Sequence, residues 1–151
     1  MKPVDISLTV DIKANQKKVF DKVVDWESQG DWMLGTKVSP TKNNGQGING
    51  EIVAWTGIWK FGFNDPMVIT KWVEPEVVDV KHLGKVVKGT GSMIVEKVDE
   101  NNSKFIWSES IDLPLGIFGR IGWIFVKPFF VAGIKYSLNK FALSFAQIDP
   151  K

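Results

Sequence analysis

The stretch VVDVKHLGKVVKGTGSMIVEKVDENNSKFIWSESI at residues 77–111 decides the fold. Apolar and polar residues alternate through most of it, and turn-forming glycines and asparagines interrupt the alternation. This pattern predicts strands over Val77–Leu83, Val86–Val98 and Phe105–Ile111, with a hairpin turn at 99–102. The connections are too short for parallel crossovers, so we expect these strands to run antiparallel.

The residues before this stretch extend the same sheet and add helices at one point. Val4–Ile12 alternates as a half-buried strand, and the period then becomes helical over about Gln16–Val24, with Asn15 as a plausible N-cap. A second short helix, capped by Asp25, is expected over Trp26–Trp32.

The middle of the chain is predicted as a loop followed by strands. Residues 39–50 are rich in proline, asparagine and glycine, which is typical of a polar loop. Three further strands are expected after it, over Glu51–Trp59, Phe61–Phe63 and Pro66–Val73.

Helical spacing returns after Pro114. A stripe that is apolar except at Ser137 predicts a long C-terminal helix over about Lys127–Ala146, with Pro128 in its first turn. The order of elements indicates one α+β domain over residues 1–151. Its helix-grip arrangement is a curved antiparallel sheet wrapped around the C-terminal helix, with two short helices after the first strand.

Composition excludes several classes of protein. The 151 residues contain no cysteine and one histidine, so thiolate or multi-histidine metal sites are not expected, and no cofactor is implied. A net charge of +2 argues against nucleic acid as a partner. Asp5 and Asp11 interrupt the N-terminal residues, so no signal peptide is expected and the protein is predicted to be cytoplasmic.

A sheet that curls around a helix leaves a cavity wherever side chains do not fill the space between them. Seven tryptophans and ten phenylalanines favour an aromatic-lined pocket. The alternation and the helical stripe predict its ligand-binding wall as Val80, His82, Met93, Val95, Trp107, Glu109, Trp123, Phe130, Ile134 and Phe141.

His82 and Glu109 are the candidate catalytic residues, because the alternation turns both inward. Such a pair could polarise a ligand carbonyl or abstract a proton next to one. The structural alternative is that the two side chains only hydrogen-bond each other or the backbone.

The apolar segment 113–130 contains glycines at 116, 119 and 122. It is interpreted as a lid that admits ligand or transiently touches a membrane, as a homodimer interface, or as a kinked helix packed on its own core. No stretch of about 18 residues is free of charge, so a simple transmembrane span is not expected.

The element order resembles the START / polyketide-cyclase / SRPBCC superfamily, in its polyketide-cyclase/dehydrase-like and lipid-transport branch. The resemblance covers nearly the whole chain and is carried by residues 10–32, 45–57, 65–75, 77–96 and 105–123. It implies a hydrophobic cavity that binds lipids, isoprenoids, polyketides or other ring compounds. Its motifs are structural and assign no catalytic role to any residue here.

Three functions therefore stay open. The first is a carrier or sensor of a hydrophobic small molecule, cytoplasmic or peripheral at the membrane. The second is a cyclase/dehydratase-like enzyme that uses His82 and Glu109 on a polyketide-type substrate. The third is a protein-interaction module that uses segment 113–130.

Overall fold

The computed structural model describes residues 2–146 and confirms the helix-grip architecture. Seven antiparallel strands form one sheet in the order β1-β7-β6-β5-β4-β3-β2. Their bounds are β1 Val4–Ile12, β2 Thr36–Lys42, β3 Glu51–Ile58, β4 Phe61–Val73, β5 Val77–His82, β6 Gly89–Lys97 and β7 Ser103–Ile111.

Two α-helices accompany the sheet. Helix α1 spans Gln16–Val23, and the Asn15 side chain accepts a hydrogen bond from the Lys18 amide, as an N-cap should. A 3₁₀ helix over Trp26–Asp31 follows, but the Asp25 side chain makes no capping hydrogen bond, so that part of the prediction is wrong. Helix α2 spans Gly116–Ala146.

The predicted loop over residues 39–50 is wrong in its first part. Residues 36–42 form β2, which pairs only with β3 and is therefore an edge strand. Proline is tolerated at sheet edges because one side of the strand needs no ladder hydrogen bonds. Pro40 therefore lies within a strand rather than ending one.

Two further boundaries differ from the prediction. Phe61–Phe63 and Pro66–Val73 belong to one continuous strand, β4, because Asn64 and Asp65 stay extended and pair with β3. Strand β6 begins at Gly89 rather than at residue 86, and residues 83–88 form the connection from β5.

Helix α2 begins eleven residues earlier than predicted, and Pro128 lies in its interior rather than in its first turn. Only its C-terminal half is held by the core, where Ile134, Ser137, Leu138 and Phe141 are buried. By length and composition alone α2 could cross a membrane, although the core helices of soluble proteins also pass that test.

An aromatic cluster fixes the C-terminal half of α2 against the sheet. The centroid of the Phe141 ring lies 4.6 Å from that of the Trp32 ring and 5.1 Å from that of the Phe105 ring. All three side chains are buried. This end of the helix–sheet interface is filled, so the space for a ligand lies toward the other end.

Candidate functional site

A cavity of about 300 Å³ lies between the concave face of the sheet and α2. That volume is on the order of ten water molecules, the size of a compact ring compound rather than of a two-chain lipid. The wall is mostly apolar, with residues from β2 to β7, the 3₁₀ helix and α2. Its members include Trp26, Met33, Val38, Ile52, Ala54, Phe63, Met67, Val80, Val87, Met93, Trp107, Ile111, Phe129, Phe130 and Ile134.

The structure brings most of the predicted wall together. Seven of the predicted residues line this one cavity: Val80, His82, Met93, Trp107, Glu109, Phe130 and Ile134. Val95 and Phe141 do not, because both are buried in the packed core. Trp123 also lies outside the lining, and its ring packs at a tilted angle against Phe130, with 5.6 Å between the ring centroids. For those three positions the predicted wall is corrected.

The polar feature of the cavity is a cluster of Asp65, His82 and Glu109. His82 Nδ1 lies 2.8 Å from Asp65 Oδ2, and His82 Nε2 lies 3.0 Å from Glu109 Oε2. Both imidazole nitrogens therefore face carboxylate oxygens. The histidine side chain is about 5% exposed, so this cluster is shielded from bulk water.

Gly91 on β6 makes room for this cluster. His82 on β5 and Glu109 on β7 are separated by β6, where Gly89 pairs with His82 and Gly91 pairs with Glu109. A Cβ at position 91 would lie 2.9 Å from Glu109 Oε1. Because glycine has none, the Glu109 side chain can lie over β6 and reach the imidazole.

The surroundings shift the acid–base properties of the cluster. Burial by itself would lower the pKa of His82, but the hydrogen bonds and charges of Asp65 and Glu109 outweigh it and raise the pKa to about 9. Burial raises the pKa of Glu109, while His82 opposes that rise. At neutral pH the histidine is therefore a cation that donates both N–H groups to its two carboxylate neighbours.

Asp65 is the functional residue that sequence reasoning missed. Asp65 precedes Pro66 and falls between the predicted strands Phe61–Phe63 and Pro66–Val73, so no face was assigned to it. The signal was nevertheless present, because Phe63, Asp65, Met67 and Ile69 alternate on one face of β4. Three of them line the cavity: Phe63, Asp65 and Met67.

Metal binding has no support in the described residues. Within 2–146, no group of three or more histidine, cysteine or carboxylate side chains is arranged to hold a metal ion. In the Asp65–His82–Glu109 cluster the imidazole nitrogens already have partners, so the cluster is a hydrogen-bonded acid–histidine–acid chain.

Comparison with known proteins identifies solved structures that have a similar fold. A scan against protein-family models found no match, and a search of the curated proteins also found none. Among solved structures, the Zhui aromatase/cyclase from Streptomyces sp. R1128 has a TM-score of 0.76 at 12% identity, covering 95% of this chain and 94% of that one. A START superfamily protein from Mycobacterium smegmatis gives a TM-score of 0.76 at 12% identity, covering 96% and 99%.

A third similar structure is norcoclaurine synthase from Thalictrum flavum in complex with dopamine and hydroxybenzaldehyde. Its TM-score is 0.69 at 9% identity, with 98% of this chain and 89% of that chain covered. The chain therefore has the START-like helix-grip fold, in which aromatase/cyclases are also built. At these identities the likeness extends to the fold alone.

Proposed function

We propose that this protein binds a compact hydrophobic small molecule, such as a ring compound or a short isoprenoid, as a carrier or sensor. The observation that carries the proposal is the cavity between sheet and α2, whose wall is mostly apolar and contains one buried cluster of ionisable side chains. Such a wall supplies affinity through burial of ligand surface, and the few polar groups fix the orientation of the ligand. Norcoclaurine synthase, of similar fold, was solved with two small aromatic molecules, which agrees with this class of ligand.

Native mass spectrometry of the purified protein is the first test, with organic extraction to identify any co-purified molecule. Calorimetric titration with methoxynaphthalene then measures binding of a neutral aromatic probe. Ala54 lines the cavity and is buried, so Ala54→Phe should fill part of the space and abolish binding. Ala142 packs on the core but does not line the cavity, and Ala142→Ser is the matched control. If Ala54→Phe binds the probe as well as wild type does, ligand does not occupy this cavity.

A second candidate, proton transfer on a bound ketone, rests on Glu109. Burial raises the pKa of this carboxyl, which makes it a stronger base, and it lies on the cavity wall. His82 would then be a positioning residue that holds Glu109 through Oε2.

Deuterium exchange into tetralone, followed by NMR in heavy water, tests this second candidate. A catalyst should accelerate exchange next to the carbonyl, and Glu109→Gln should abolish the acceleration while keeping the side-chain shape. Binding of tetralone without accelerated exchange would favour the carrier or sensor over the enzyme.

A further inference from the structure

The polar cluster of the cavity offers acceptors to a ligand but no charged donor. Both nitrogens of His82 face carboxylates, so the imidazole has no N–H left for a ligand. Asp65 is 7% exposed, lines the cavity, and its Oδ1 has no hydrogen-bond partner among the described residues. An unsatisfied buried carboxylate oxygen is costly, and a ligand that donates a hydrogen bond to it would relieve that cost.

The rest of the wall does not offset this polarity. Among residues 2–146 no lysine or arginine lines the cavity, and the ionisable members of the lining are Asp65, His82 and Glu109. Both ring nitrogens of His82 already face carboxyl oxygens, so its charge is not free to pair with a ligand. The other polar side chains of the lining are neutral, and they are Gln29, Thr36, Thr56, Ser92 and Ser137. A carboxylate or phosphate would therefore be desolvated beside two carboxylates with no cation available to pair with it.

We infer that the cavity selects ligands that bear a hydroxyl, phenol or amine donor, and that Asp65 is the residue that accepts from it. The inference rests on the proposed function, and it goes further by excluding free fatty acids and other anions as the preferred ligands. A neutral or cationic donor satisfies Oδ1, whereas an acceptor or an anion leaves it unpaired.

Three naphthalenes substituted at the same ring position test this selectivity by calorimetry. Naphthol should bind about tenfold or more tightly than methoxynaphthalene, since a hydrogen bond to a charged group is worth about that factor. Naphthoate should bind more weakly than both. If none of the three binds, the proposed function itself fails. If all bind equally, or naphthoate binds best, ligand binding stands and the selectivity is overturned.

The variant Asp65→Asn tests whether Asp65 causes the selectivity, because the amide keeps the shape of the side chain while removing the charge. The preference for naphthol should collapse, and naphthoate should gain relative to it. Asp79→Asn is the matched control, since Asp79 also lies on the sheet but accepts a hydrogen bond from Ser92 Oγ and does not line the cavity. If Asp65→Asn does not fold, Glu109→Gln removes the other carboxyl group of the cluster, and naphthoate should gain relative to naphthol in this variant as well. If both single variants fold and neither changes the selectivity, the inference is overturned.

An independent observation concerns the outside of the cavity mouth. Three segments contribute to the lining: residues 57–63 through Phe63, residues 83–88 through Val87, and residues 113–130 through Phe129 and Phe130. We call these three segments together the mouth surface. Within residues 2–146, nineteen large apolar side chains are exposed, and thirteen of them belong to it: Ile58, Trp59, Phe61, Leu83, Val86, Leu115, Ile117, Phe118, Ile121, Ile124, Phe125, Val126 and Phe129.

The charges of the mouth surface all have one sign. Its segments contain Lys60, Lys85, Lys88, Arg120 and Lys127, and they contain no aspartate or glutamate. A bilayer with anionic lipids matches this combination, because apolar side chains enter the acyl region while the cations meet the headgroups. Two copies of this face packed together would bring like charges against each other.

We propose that the mouth surface docks on an anionic membrane, with the first half of α2 lying in the interface. On α2, Ile117, Ile121 and Ile124 recur at helical spacing on an exposed side, while Phe130 and Ile134 face the cavity. Docking places the cavity mouth at the lipid, where a hydrophobic ligand partitions. A span across the bilayer would instead require the buried half of α2 to leave the core.

Co-sedimentation with vesicles of equimolar phosphatidylcholine and phosphatidylglycerol tests docking. The double variant Trp59→Ser/Phe125→Ser should lose tenfold or more in vesicle affinity, whereas Val98→Ser/Leu143→Ser removes exposed apolar groups elsewhere and should not. Lys60→Gln and Lys127→Gln should each cost roughly fivefold, and pure phosphatidylcholine should bind weakly. Equal binding by both double variants, or none by wild type, overturns the proposal. So does a stable dimer that only Trp59→Ser/Phe125→Ser dissociates, since the surface then belongs to a second copy.

Discussion

His82 and Glu109 lie on strands that are not neighbours, yet His82 Nε2 and Glu109 Oε2 are 3.0 Å apart. The contact passes over Gly91 of β6, the strand between them. The second of the two carboxyl contacts of this buried histidine thus depends on a glycine on a third strand. The acid–base chemistry of the cavity depends on a residue that has no side chain.

Gly91→Ala should weaken this contact. A Cβ at position 91 would stand 2.9 Å from Glu109 Oε1, so the carboxylate must shift away from the imidazole. The pKa of His82 should then fall from about 9 toward its ordinary value, because one of its two anionic partners is displaced. NMR titration of the single histidine measures this. Gly122→Ala is the control, since a Cβ there meets nothing within 4 Å. An unchanged titration in Gly91→Ala would contradict the steric role of Gly91.

Stability should fall as pH rises from neutral. The pKa of His82 is about 9 in the folded protein against 6.5 for an ordinary histidine, so the folded state holds this proton more tightly than the unfolded state. The resulting stabilisation is fully present below pH 6.5 and is lost as pH rises through about 9. Linkage sets its upper size at about 3 kcal/mol.

Urea unfolding at a series of pH values checks this dependence. His82→Gln should be less stable than wild type at pH 6, and its free energy of unfolding should change much less between pH 6.5 and 9. A wild-type profile that stays flat over this window would mean that His82 is not held as a cation.

The two large aromatic residues Trp107 and Phe141 should respond differently to truncation. Phe141 is fully buried and its ring contacts three other aromatic rings, so Phe141→Ala should cost about 3–5 kcal/mol. Trp107 faces the cavity on one side, where it has fewer packing partners to lose. Trp107→Ala should therefore cost about 2 kcal/mol or less. Urea unfolding of both variants compares them, and equal losses would indicate that Trp107 is packed as tightly as the core.

The period of the sequence was sufficient to predict the helix grip, every strand except β2, and seven of the ten residues named for the cavity wall. Val80, Met93 and Trp107 follow from strand alternation, and Ile134 follows from the helical stripe. The extent of the cavity along each strand and along the helix could not be predicted in the same way. Val95 and Phe141 share faces with wall residues, yet they lie where the helix closes on the sheet, and face alone does not say how far along a strand a cavity extends.

The errors in the strand assignments share a physical cause, which is that proline has different consequences at different places in a fold. Pro40 lies in an edge strand, and Pro66 lies where β4 pairs with β3 just before the ladder to β5 begins at Met67. At both places the missing N–H is tolerated. Asp65 was missed as a consequence of the break assumed at Pro66. Local sequence does not show which strands will be edges.

Pro128 should weaken the part of α2 that precedes the core. In a helix interior proline removes the hydrogen bond to the carbonyl four residues earlier, here Ile124, and its ring crowds that carbonyl. Pro128→Ala should therefore raise the free energy of unfolding by about 1–2 kcal/mol, after allowing for the greater freedom of the unfolded chain. Amide hydrogen exchange over residues 117–127 should also slow. Pro40→Ala, on edge strand β2, should change neither quantity. If Pro128→Ala likewise leaves both unchanged, the first half of α2 opens independently of the core, and residues 116–127 behave as a separate segment rather than as the start of one continuous helix.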